Sequence, residues 1–387
     1  MAEYKTVRIS DICEIVSGST PKTAVSEYWE GSLKWITPAE LDDEEMVVFD
    51  TARHISHQAV VDTHLNLLPA GTILFSSRAP IGKVAIAGSP MYCNQGFKNL
   101  ICSNSVDNKY LYYYLKHNAE KIKMMGRGAT FKEISKTQMG NLEIRLPNAS
   151  VQVHRSKQLN CIDGVIRNKK AQLRKLDEMI RSRFIEMFGD PGTNPYNWRI
   201  ETIGRIATDI KYGTSKAAVK DGKYPYLRMN NMTNEGYLDL SDLKYIDISD
   251  SELERVAVRN GDILFNRTNS IDLVGKTSLF DLDETMVIAG YIIRVRVKSD
   301  VLPSFIVRYM NLPYMKQKLK GMAKGAVNQA NISAKELQNI PIYVPPINLQ
   351  NEYEQFSSQI DKSKLAIQKS IDELENLKKK LMQEYFG

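Results

Sequence analysis

The sequence predicts an α+β protein with two similar globular domains, related by pseudo-two-fold symmetry and joined by a long antiparallel two-helix coiled coil. Three observations predict this fold. The chain repeats much of its own pattern after about 195 residues, which is too long for a solenoid unit and indicates a duplicated domain. Each copy alternates short strand-like runs with turns and has few helices. Each copy then ends in a long charged segment whose apolar residues have heptad spacing.

The repeat is clearest where each long charged segment begins and ends. Residues 144–152 read IRLPNASVQ, and residues 342–350 read IYVPPINLQ. Gln350 lies 198 positions after Gln152, and Gly387 lies 198 positions after Gly189. This constant register divides the chain into a first domain at 1–148, a central helix at 149–189, a linker at 190–197, a second domain at 198–346 and a C-terminal helix at 347–387.

The predicted elements follow the same order in both copies. Strands are expected at 71–77, 82–87 and 99–102 in the first copy and at 261–266, 287–289 and 291–297 in the second. One helix is expected around 109–125 and its counterpart around 303–320. Pro147 in the first copy, and Pro345 with Pro346 in the second, mark the end of each domain, because proline interrupts regular hydrogen bonding.

The long segments after these prolines predict helices that pair with each other. Their apolar residues recur at steps of three, four and seven, with charged residues between them. The predicted pairing residues are Leu159, Ile162, Ile166, Leu173, Leu176, Ile180, Ile360, Ile367, Ile371, Leu374 and Leu381. The alternative is that each helix packs only on its own domain. Pairing is favoured because the stripe is long and flanked by polar residues, and two-fold symmetry makes the pair antiparallel.

Charge is unevenly distributed between the two helices. The chain carries a net charge of +7 at pH 7. Residues 151–189 hold nine basic and four acidic residues, a net of +5, whereas residues 350–387 hold six and seven, a net of −1. The overall positive charge fits a polyanionic partner, but its concentration on one helix equally fits pairing with the mildly acidic second helix.

Composition predicts an ordinary globular chain in the cytoplasm. Four cysteines lack C-x-x-C spacing, which favours buried thiols over disulfides: Cys13, Cys93, Cys102 and Cys161. Three histidines, without paired cysteines, do not predict zinc: His54, His57 and His64. The N-terminal residues have no apolar signal-like stretch, and no run approaches the length of a membrane span.

Two segments imitate catalytic motifs. Residues 194–197, Asn-Pro-Tyr-Asn, approach the Asn-Pro-Pro-Tyr loop of adenine methyltransferases but lack its second proline and any Gly-rich cofactor loop. Residues 274–278, Val-Gly-Lys-Thr-Ser, resemble the end of a phosphate-binding loop, but Ser270 stands where the first glycine of that loop belongs. The sequence therefore predicts a chain that catalyses no reaction and binds no cofactor or metal itself.

If the two globular domains bind DNA, the polar loops in each copy are the candidate contact surfaces. Arg can bond guanine through two hydrogen bonds, and Asn or Gln can bond adenine in the same way. In the first copy the candidates are Ser19, Thr20, Lys22, Ser77, Arg78, Asn94, Gln95, Lys98, Arg127 and Lys132. In the second copy they are Thr214, Ser215, Lys216, Arg228, Asn230, Asn231, Asn266, Arg267, Asn269, Lys324, Asn328 and Gln329. The alternative for any one of them is an ordinary polar loop residue.

Several motifs, in order and in duplicate, resemble one known family across the whole chain. These are Gly-Ser-Thr-Pro at 18–21, Tyr-Trp-Glu-Gly-Ser-Leu-Lys-Trp-Ile-Thr-Pro at 28–38, Ser-Arg-Ala-Pro-Ile-Gly at 77–82, Asn-Gln-Gly-Phe-Lys at 94–98 and Ala-Asn-Ile-Ser-Ala-Lys-Glu-Leu at 330–337. The chain resembles the specificity (S) subunit of type I restriction-modification systems. It departs mildly at Asn148, where the second copy has the more typical second proline, Pro346.

The resemblance implies a non-catalytic, DNA-binding subunit. Each globular domain would be a target recognition domain for one half of a bipartite, asymmetric double-stranded DNA sequence, and the helices would set the gap. Two methyltransferase (M) subunits would dock on the helices and supply S-adenosylmethionine for methylation of adenine N6. Restriction (R) subunits would supply ATP- and Mg-dependent cleavage. The alternatives are a duplicated DNA-binding adaptor or scaffold that recruits a different enzyme, and a self-sufficient nuclease or methyltransferase.

Overall fold

The computed structural model describes residues 4–42, 44–78, 80–126, 132–326 and 329–387, with the side chain of Ala326 excepted. The chain forms two compact units. Unit 1 comprises Met1–Gln172 and Ile367–Gly387, and unit 2 comprises Leu173–Ala366. The boundaries fall inside the two long helices, so each unit contains one globule and half of each helix. The sequence repeat predicts contiguous domains, each followed by a whole helix. The boundaries of the compact units differ from this division, because they cut through both long helices.

Unit 1 contains ten described strands and the start of the first long helix. The strands are β1 (Lys5–Arg8), β2 (Cys13–Ser17), β3 (Leu33–Ile36), β4 (Val47–Val48), β5 (Arg53–Ile55), β6 (Ile73–Phe75), β7 (Val84–Ala87), β8 (Tyr92–Cys93), β9 (Lys98–Cys102) and β10 (Glu143–Leu146). The helices are α1 (Ile9–Ile12), α2 (His57–Thr63), α3 (Asn108–His117), α4 (Ala119–Met124), α5 (Lys136–Gly140) and α6 (Ala149–Phe188). Short 3₁₀ turns lie at Ser26–Trp29 and Pro38–Glu40.

Unit 2 repeats this order with some additions. Its strands are β11 (Arg199–Thr202), β12 (Ala207–Tyr212), β13 (Tyr224–Leu227), β14 (Lys244–Ile246), β15 (Ala257–Val258), β16 (Asp262–Asn266), β17 (Thr268–Asn269), β18 (Thr277–Phe280), β19 (Met286–Ile288), β20 (Ile292–Val297), β21 (Lys324–Ala326), β22 (Gln329–Asn331) and β23 (Pro341–Val344). Its helices are α7 (Ile203–Ile206), α8 (Asp250–Val256), α9 (Pro303–Met310), α10 (Pro313–Met322), α11 (Ala334–Gln338) and α12 (Ile347–Phe386). A 3₁₀ turn lies at Met229–Asn231.

The two units share one sheet topology. The main sheet has the order β2-β9-β6-β7-β4 in unit 1 and β12-β20-β16-β18 in unit 2, so the first four strands correspond. A second sheet has the order β5-β3-β8 in unit 1 and β14-β13-β19-β15 in unit 2, and its β3–β8 and β13–β19 pairs are both parallel. The first strand of each unit pairs with the strand before its long helix, β1 with β10 and β11 with β23. The predicted α+β class is confirmed.

The Ile-Leu-Phe run of each copy forms a strand that is buried on both faces. Ile73 and Phe75 belong to the hydrophobic cluster that contains α3, whereas Leu74 belongs to a separate cluster on the opposite face of the sheet. Ile263 and Phe265 are likewise divided from Leu264. Side chains alternate between faces along a strand, so a continuous apolar run is expected where both faces are covered.

The single helix predicted near the end of each globule is two helices in both units. The break falls at Asn118, between α3 and α4, and at Asn311, between α9 and α10. The Asn118 side-chain amide donates to the carbonyl of Tyr114 (3.0 Å), and that of Asn311 donates to the carbonyl of Val307 (2.9 Å). Each asparagine thus satisfies an end carbonyl of the first helix, which ends that helix at this position.

The long helices α6 and α12 pair in opposite directions within each unit. In unit 1, the Lys378 ammonium lies 2.6 Å from the Asp163 carboxylate, and the Tyr385 hydroxyl donates to Gln158 (2.7 Å). In unit 2, Arg183 lies 3.4 Å from Glu352. Residue numbers fall along α12 as they rise along α6, which is the antiparallel arrangement. The predicted pairing residues Leu159, Ile166, Ile180, Ile360 and Ile371 are buried, and Ile162, Leu173, Leu176, Ile367, Leu374 and Leu381 are half-buried.

The phenylalanine of the repeated Phe-Gly at each helix end packs against a group of aromatic rings. We call these rings the aromatic socket of the unit. Phe188, at the end of α6, is fully buried in unit 2, with ring centroids 5.1 Å from Phe305 and 5.5 Å from Tyr353. Phe386, at the end of α12, is half-buried in unit 1, where it lies 5.1 Å from Tyr110. Each long helix therefore begins beside one globule and ends in the hydrophobic core of the other unit.

The repeated glutamine joins the start of each long helix to its globule. Gln152 is buried, accepts from the amide of Asp107 (2.9 Å) and donates to the carbonyl of Pro147 (2.8 Å). Gln350 accepts from the amide of Leu302 (2.8 Å) and donates to the equivalent proline carbonyl (2.7 Å). Both side chains satisfy backbone groups that would otherwise be buried without partners.

Within the described ranges, no helix combines the length and apolar character needed to cross a bilayer.

Candidate nucleic-acid interface

Corresponding turns of different length follow the Ile-Leu-Phe strand in the two units. In unit 1 the Gly82 amide donates to the Ser76 carbonyl (3.0 Å), and in unit 2 the Gly275 amide donates to the Asn266 carbonyl (2.9 Å). Both glycines have positive φ angles, 100° and 82° respectively, which residues with a Cβ rarely adopt. We call residues 76–78 with 80–82, and residues 266–275, the strand-exit loops of units 1 and 2.

Two backbone hydrogen bonds fix the second residue of the unit 1 strand-exit loop. The Ser77 amide donates to the Gly96 carbonyl (2.8 Å), and the Ile134 amide donates to the Ser77 carbonyl (2.9 Å). The following residue, Arg78, has its guanidinium 3.4 Å from the Glu133 carboxylate, which also accepts from the Lys98 ammonium (2.9 Å). Lys98 is buried, whereas the Arg78 side chain remains 41% exposed and can reach an external ligand.

A second loop of unit 1 packs beside this one. The Ser19 amide donates to the Cys93 carbonyl (3.1 Å), and the Thr20 hydroxyl donates to the side chain of Gln95. A Cβ at Gly18 would lie 2.2 Å from the Asn94 carbonyl oxygen, so this close approach requires glycine. The structure therefore brings the candidates Ser19, Thr20, Arg78, Asn94 and Gln95 close together, with the buried Ser77 beneath them.

Unit 2 has the equivalent loop at Gly213. A Cβ there would lie 2.1 Å from the Ile288 carbonyl oxygen, and the Thr214 amide donates to the same carbonyl (2.9 Å). The Thr214 hydroxyl donates to Glu252 (2.9 Å), and the Lys216 ammonium lies 2.5 Å from the same carboxylate. The hydrogen bond from Lys216, followed by that from Thr214, lowers the pKa of Glu252.

Two more basic candidates of unit 2 are held by carboxylates. The Arg228 guanidinium lies 2.8 Å from Asp242, and the hydrogen bond from Arg228 lowers the pKa of that carboxyl. The Lys324 ammonium lies 2.7 Å from Glu336, and its hydrogen bond is the main reason that the pKa of Glu336 falls to about 2. A phosphate that contacted these cations would compete with the carboxylates.

The Arg267 side chain has a different environment. Its guanidinium carbon lies 5.0 Å from the ring centroid of Tyr212, and its Nε is buried without a hydrogen-bond partner in the described part of the chain. The Arg267 amide donates to the Tyr291 carbonyl (2.9 Å), so its backbone position is fixed. Tyr212 and Tyr291 are 38% and 52% exposed, and together with Arg267 they provide aromatic and cationic surface.

Five sequence-predicted candidates are buried and satisfy hydrogen bonds inside their own unit: Ser77, Lys98, Thr214, Asn231 and Asn266. This corrects their interpretation as surface contacts, because a buried polar group with protein partners shapes the loop instead. Exposed or half-buried positions are occupied by Ser19, Thr20, Lys22, Arg78, Asn94, Gln95, Lys132, Ser215, Lys216, Arg228, Asn230, Arg267, Asn269, Lys324 and Gln329. Arg127 and Asn328 lie outside the described residues.

Sequence reasoning missed the groups that anchor the candidates. Glu133 is 35 residues from Lys98, and Glu252 is 36 residues from Lys216, so no local pattern connects them. Tyr291 was also missed, although its place just before the β20 strand corresponds to Gly96 before β9, which a closer alignment of the two copies could have indicated.

The segments that imitate catalytic motifs have structural roles. The Asn194 side chain accepts from the amide of Trp198 (3.0 Å) and donates to its carbonyl (2.9 Å), which closes a turn after α6. Lys276 donates to the Met232 carbonyl (2.9 Å) just before β18. Across the described ranges, no group of three or more His, Cys, Asp or Glu side chains is arranged to hold a metal ion.

Comparison with known proteins gives one consistent result. The family model described as "Type I restriction modification DNA specificity domain" matches residues 1–178 and 197–376. The MjaIX specificity subunit of Methanocaldococcus jannaschii is 32% identical over 262 residues, which cover 62% of this chain and 60% of that protein. The EcoKI specificity subunit of Escherichia coli is 22% identical, with 80% of this chain and 72% of that protein covered.

A solved structure is similar in fold over the full length. The type I restriction-modification S subunit from M. genitalium superposes with a TM-score of 0.62 at 17% identity, covering 100% of this chain and 96% of that one. At this identity the likeness concerns the fold.

Proposed function

This chain belongs to the family of type I restriction-modification DNA specificity proteins, and from that premise we propose that each unit reads one half of a bipartite, double-stranded DNA target. The observation that carries the proposal is the strand-exit loop, whose second residue is held in both units by an equivalent pair of backbone hydrogen bonds, while the side chains differ. Ser77 and Arg78 of unit 1 stand where unit 2 has Arg267 and Thr268. Two loops with equivalent backbone anchoring but different polar side chains are suited to reading two half-sites of different sequence.

The long helices would set the gap between the half-sites and dock two methyltransferase subunits. Both helices carry exposed apolar side chains, including Met179 (51%) on α6 and Leu365 (74%) on α12. Docked methyltransferase subunits would cover these side chains and remove their apolar surface from water. These residues belong to unit 2, and Leu377 (45%) on α12 provides a similar feature in unit 1.

The chemistry would belong to the partners. Methyltransferase subunits would bring S-adenosylmethionine and methylate adenine N6, which requires the base to be flipped out of the duplex. Restriction subunits would bring ATP and Mg for cleavage. This chain would act as the non-catalytic component. Its relatives named above carry the description "specificity subunit", which supports this division of labour.

Long-read mapping of N6-methyladenine tests the proposal. Cells with this chain and its neighbouring methyltransferase are compared with cells that lack only this chain. We expect a bipartite motif with a fixed gap that disappears on deletion, and exchange of residues 1–148 with those of a relative should change one half-site alone. An active methyltransferase whose motif does not depend on this chain would contradict the proposal.

A further inference from the structure

The strand-exit loop of unit 2 holds one arginine in a state that suits recognition of a base. Arg267 is fixed on both sides of its Cα: its amide donates to the Tyr291 carbonyl, and its carbonyl accepts from the Ile332 amide, both at 2.9 Å. The side chain therefore starts from a defined point just after the end of β16. Such anchoring lowers the entropy that is lost when the side chain binds a ligand.

The guanidinium is also oriented. It lies over the Tyr212 ring at 5.0 Å, and the Tyr212 hydroxyl accepts from the amide of Ala334 (2.8 Å), so the ring is fixed as well. Stacking on an aromatic face leaves the edge of the planar guanidinium available for two parallel hydrogen bonds. Lysine cannot offer this planar pair of donors.

Among the basic candidates of unit 2, Arg267 further differs in lacking a carboxylate partner. Arg228, Lys216 and Lys324 each lie within 2.8 Å of an Asp or Glu oxygen. Around Arg267 the described residues place no carboxylate within ion-pair distance. Its buried Nε has no hydrogen-bond partner, as is also true of Arg228 Nε, but Arg228 has the Asp242 carboxylate beside its guanidinium. A half-buried cation with an unsatisfied donor is costly, so an external acceptor would be bound favourably.

We propose that Arg267 is a specificity-determining residue that reads a guanine in the half-site bound by unit 2. Guanine presents the O6 and N7 acceptors in the geometry of a bidentate guanidinium contact. A phosphate oxygen pair offers similar chemistry but gives no base preference. In unit 1 the equivalent position is Ser77, which is buried, so the proposal applies to unit 2 alone.

The inference rests on the proposed function, and the test separates the two. Methylated motifs are mapped for wild type, Arg267→Ala and Arg267→Gln, with the 79% exposed Arg205→Ala as a control in the same unit. We expect Arg267→Ala to reduce discrimination at one guanine by roughly 5- to 150-fold. Arg267→Gln should move the preference at that position towards adenine, because glutamine bonds adenine bidentately. The other half-site and the Arg205→Ala motif should be unchanged.

Several outcomes would overturn the inference. Exchange of residues 198–346 identifies the half-site that unit 2 reads, and the inference is wrong if that half-site contains no guanine on either strand. It is also wrong if the methylated motif is unchanged in both Arg267 variants. If methylation is lost at all sites, the purified complex of each variant with the methyltransferase is tested by competition with duplexes substituted at each position. Equal weakening on every duplex would then identify a phosphate contact. A wild-type motif that is independent of this chain would instead refute the proposed function.

Discussion

Replacement of Phe188 by alanine is expected to destabilise unit 2 strongly. Phe188 ends α6 and is fully buried, and its ring centroid lies 4.9 Å from Phe184 and 5.1 Å from Phe305 in edge-to-face geometry. Removing the ring loses its burial from water, leaves a cavity and breaks aromatic contacts. For a fully buried phenylalanine these effects together cost about 3 to 5 kcal/mol.

Two further variants calibrate this value. Phe188→Leu keeps most of the apolar volume, so its cost should stay below about 1.5 kcal/mol. Phe386→Ala removes the equivalent ring of unit 1, but Phe386 is only half-buried, and we expect roughly half the effect, about 1.5 to 2.5 kcal/mol.

Native-state hydrogen exchange can assign each loss to its unit. Amides of β20, in the main sheet of unit 2, should exchange roughly 150 to 4,000 times faster in Phe188→Ala, since each 1.4 kcal/mol is a factor of ten. The Phe386→Ala variant should affect β9 in unit 1 more than β20. If Phe188→Ala accelerated β20 less than tenfold, or if Phe386→Ala acted mainly on β20, the socket interpretation would be wrong.

Two other predictions concern charged groups of unit 2. Asp361→Asn removes the carboxylate that pairs with the half-buried guanidinium of Arg308 and should cost about 2 to 4 kcal/mol in urea unfolding. Glu352→Gln breaks the more exposed pair with Arg183 and should cost less than about 1 kcal/mol. Equal losses in the two variants would contradict this prediction. Burial lowers the pKa of Lys316 to about 8 from 10.5, so the unfolded chain binds more protons between these values and stability should rise with pH from about 8 to 10.5. Lys316→Met should remove about 1 to 3 kcal/mol of that rise. If the free energy of unfolding depended on pH in the same way in wild type and variant, Lys316 would not be the cause of the rise.

The sequence alone determined the repeated architecture, because its signals are local and periodic. The Ile-Leu-Phe runs predicted strands, and the structure forms them at Ile73–Phe75 and within Asp262–Asn266. Heptad spacing predicted long paired helices, and their antiparallel contacts are present in each unit. The duplicated strand-exit loops were also visible in the aligned copies. Hydrophobic periodicity reports burial directly, so these features required no knowledge of distant contacts.

Tertiary structure decided which polar residues face solvent and what surrounds the ends of the long helices. Lys98 and Arg78 were both predicted to be surface contacts. Both lie beside Glu133, a glutamate distant in sequence, but Lys98 is buried there, whereas Arg78 stays partly exposed. Likewise the Phe-Gly repeat marked each helix end, but only the folded chain places Phe188 in the core of unit 2. A polar side chain or a terminal ring has no periodic signature; its environment is set by partners that folding brings together, and those partners lie far away in the sequence.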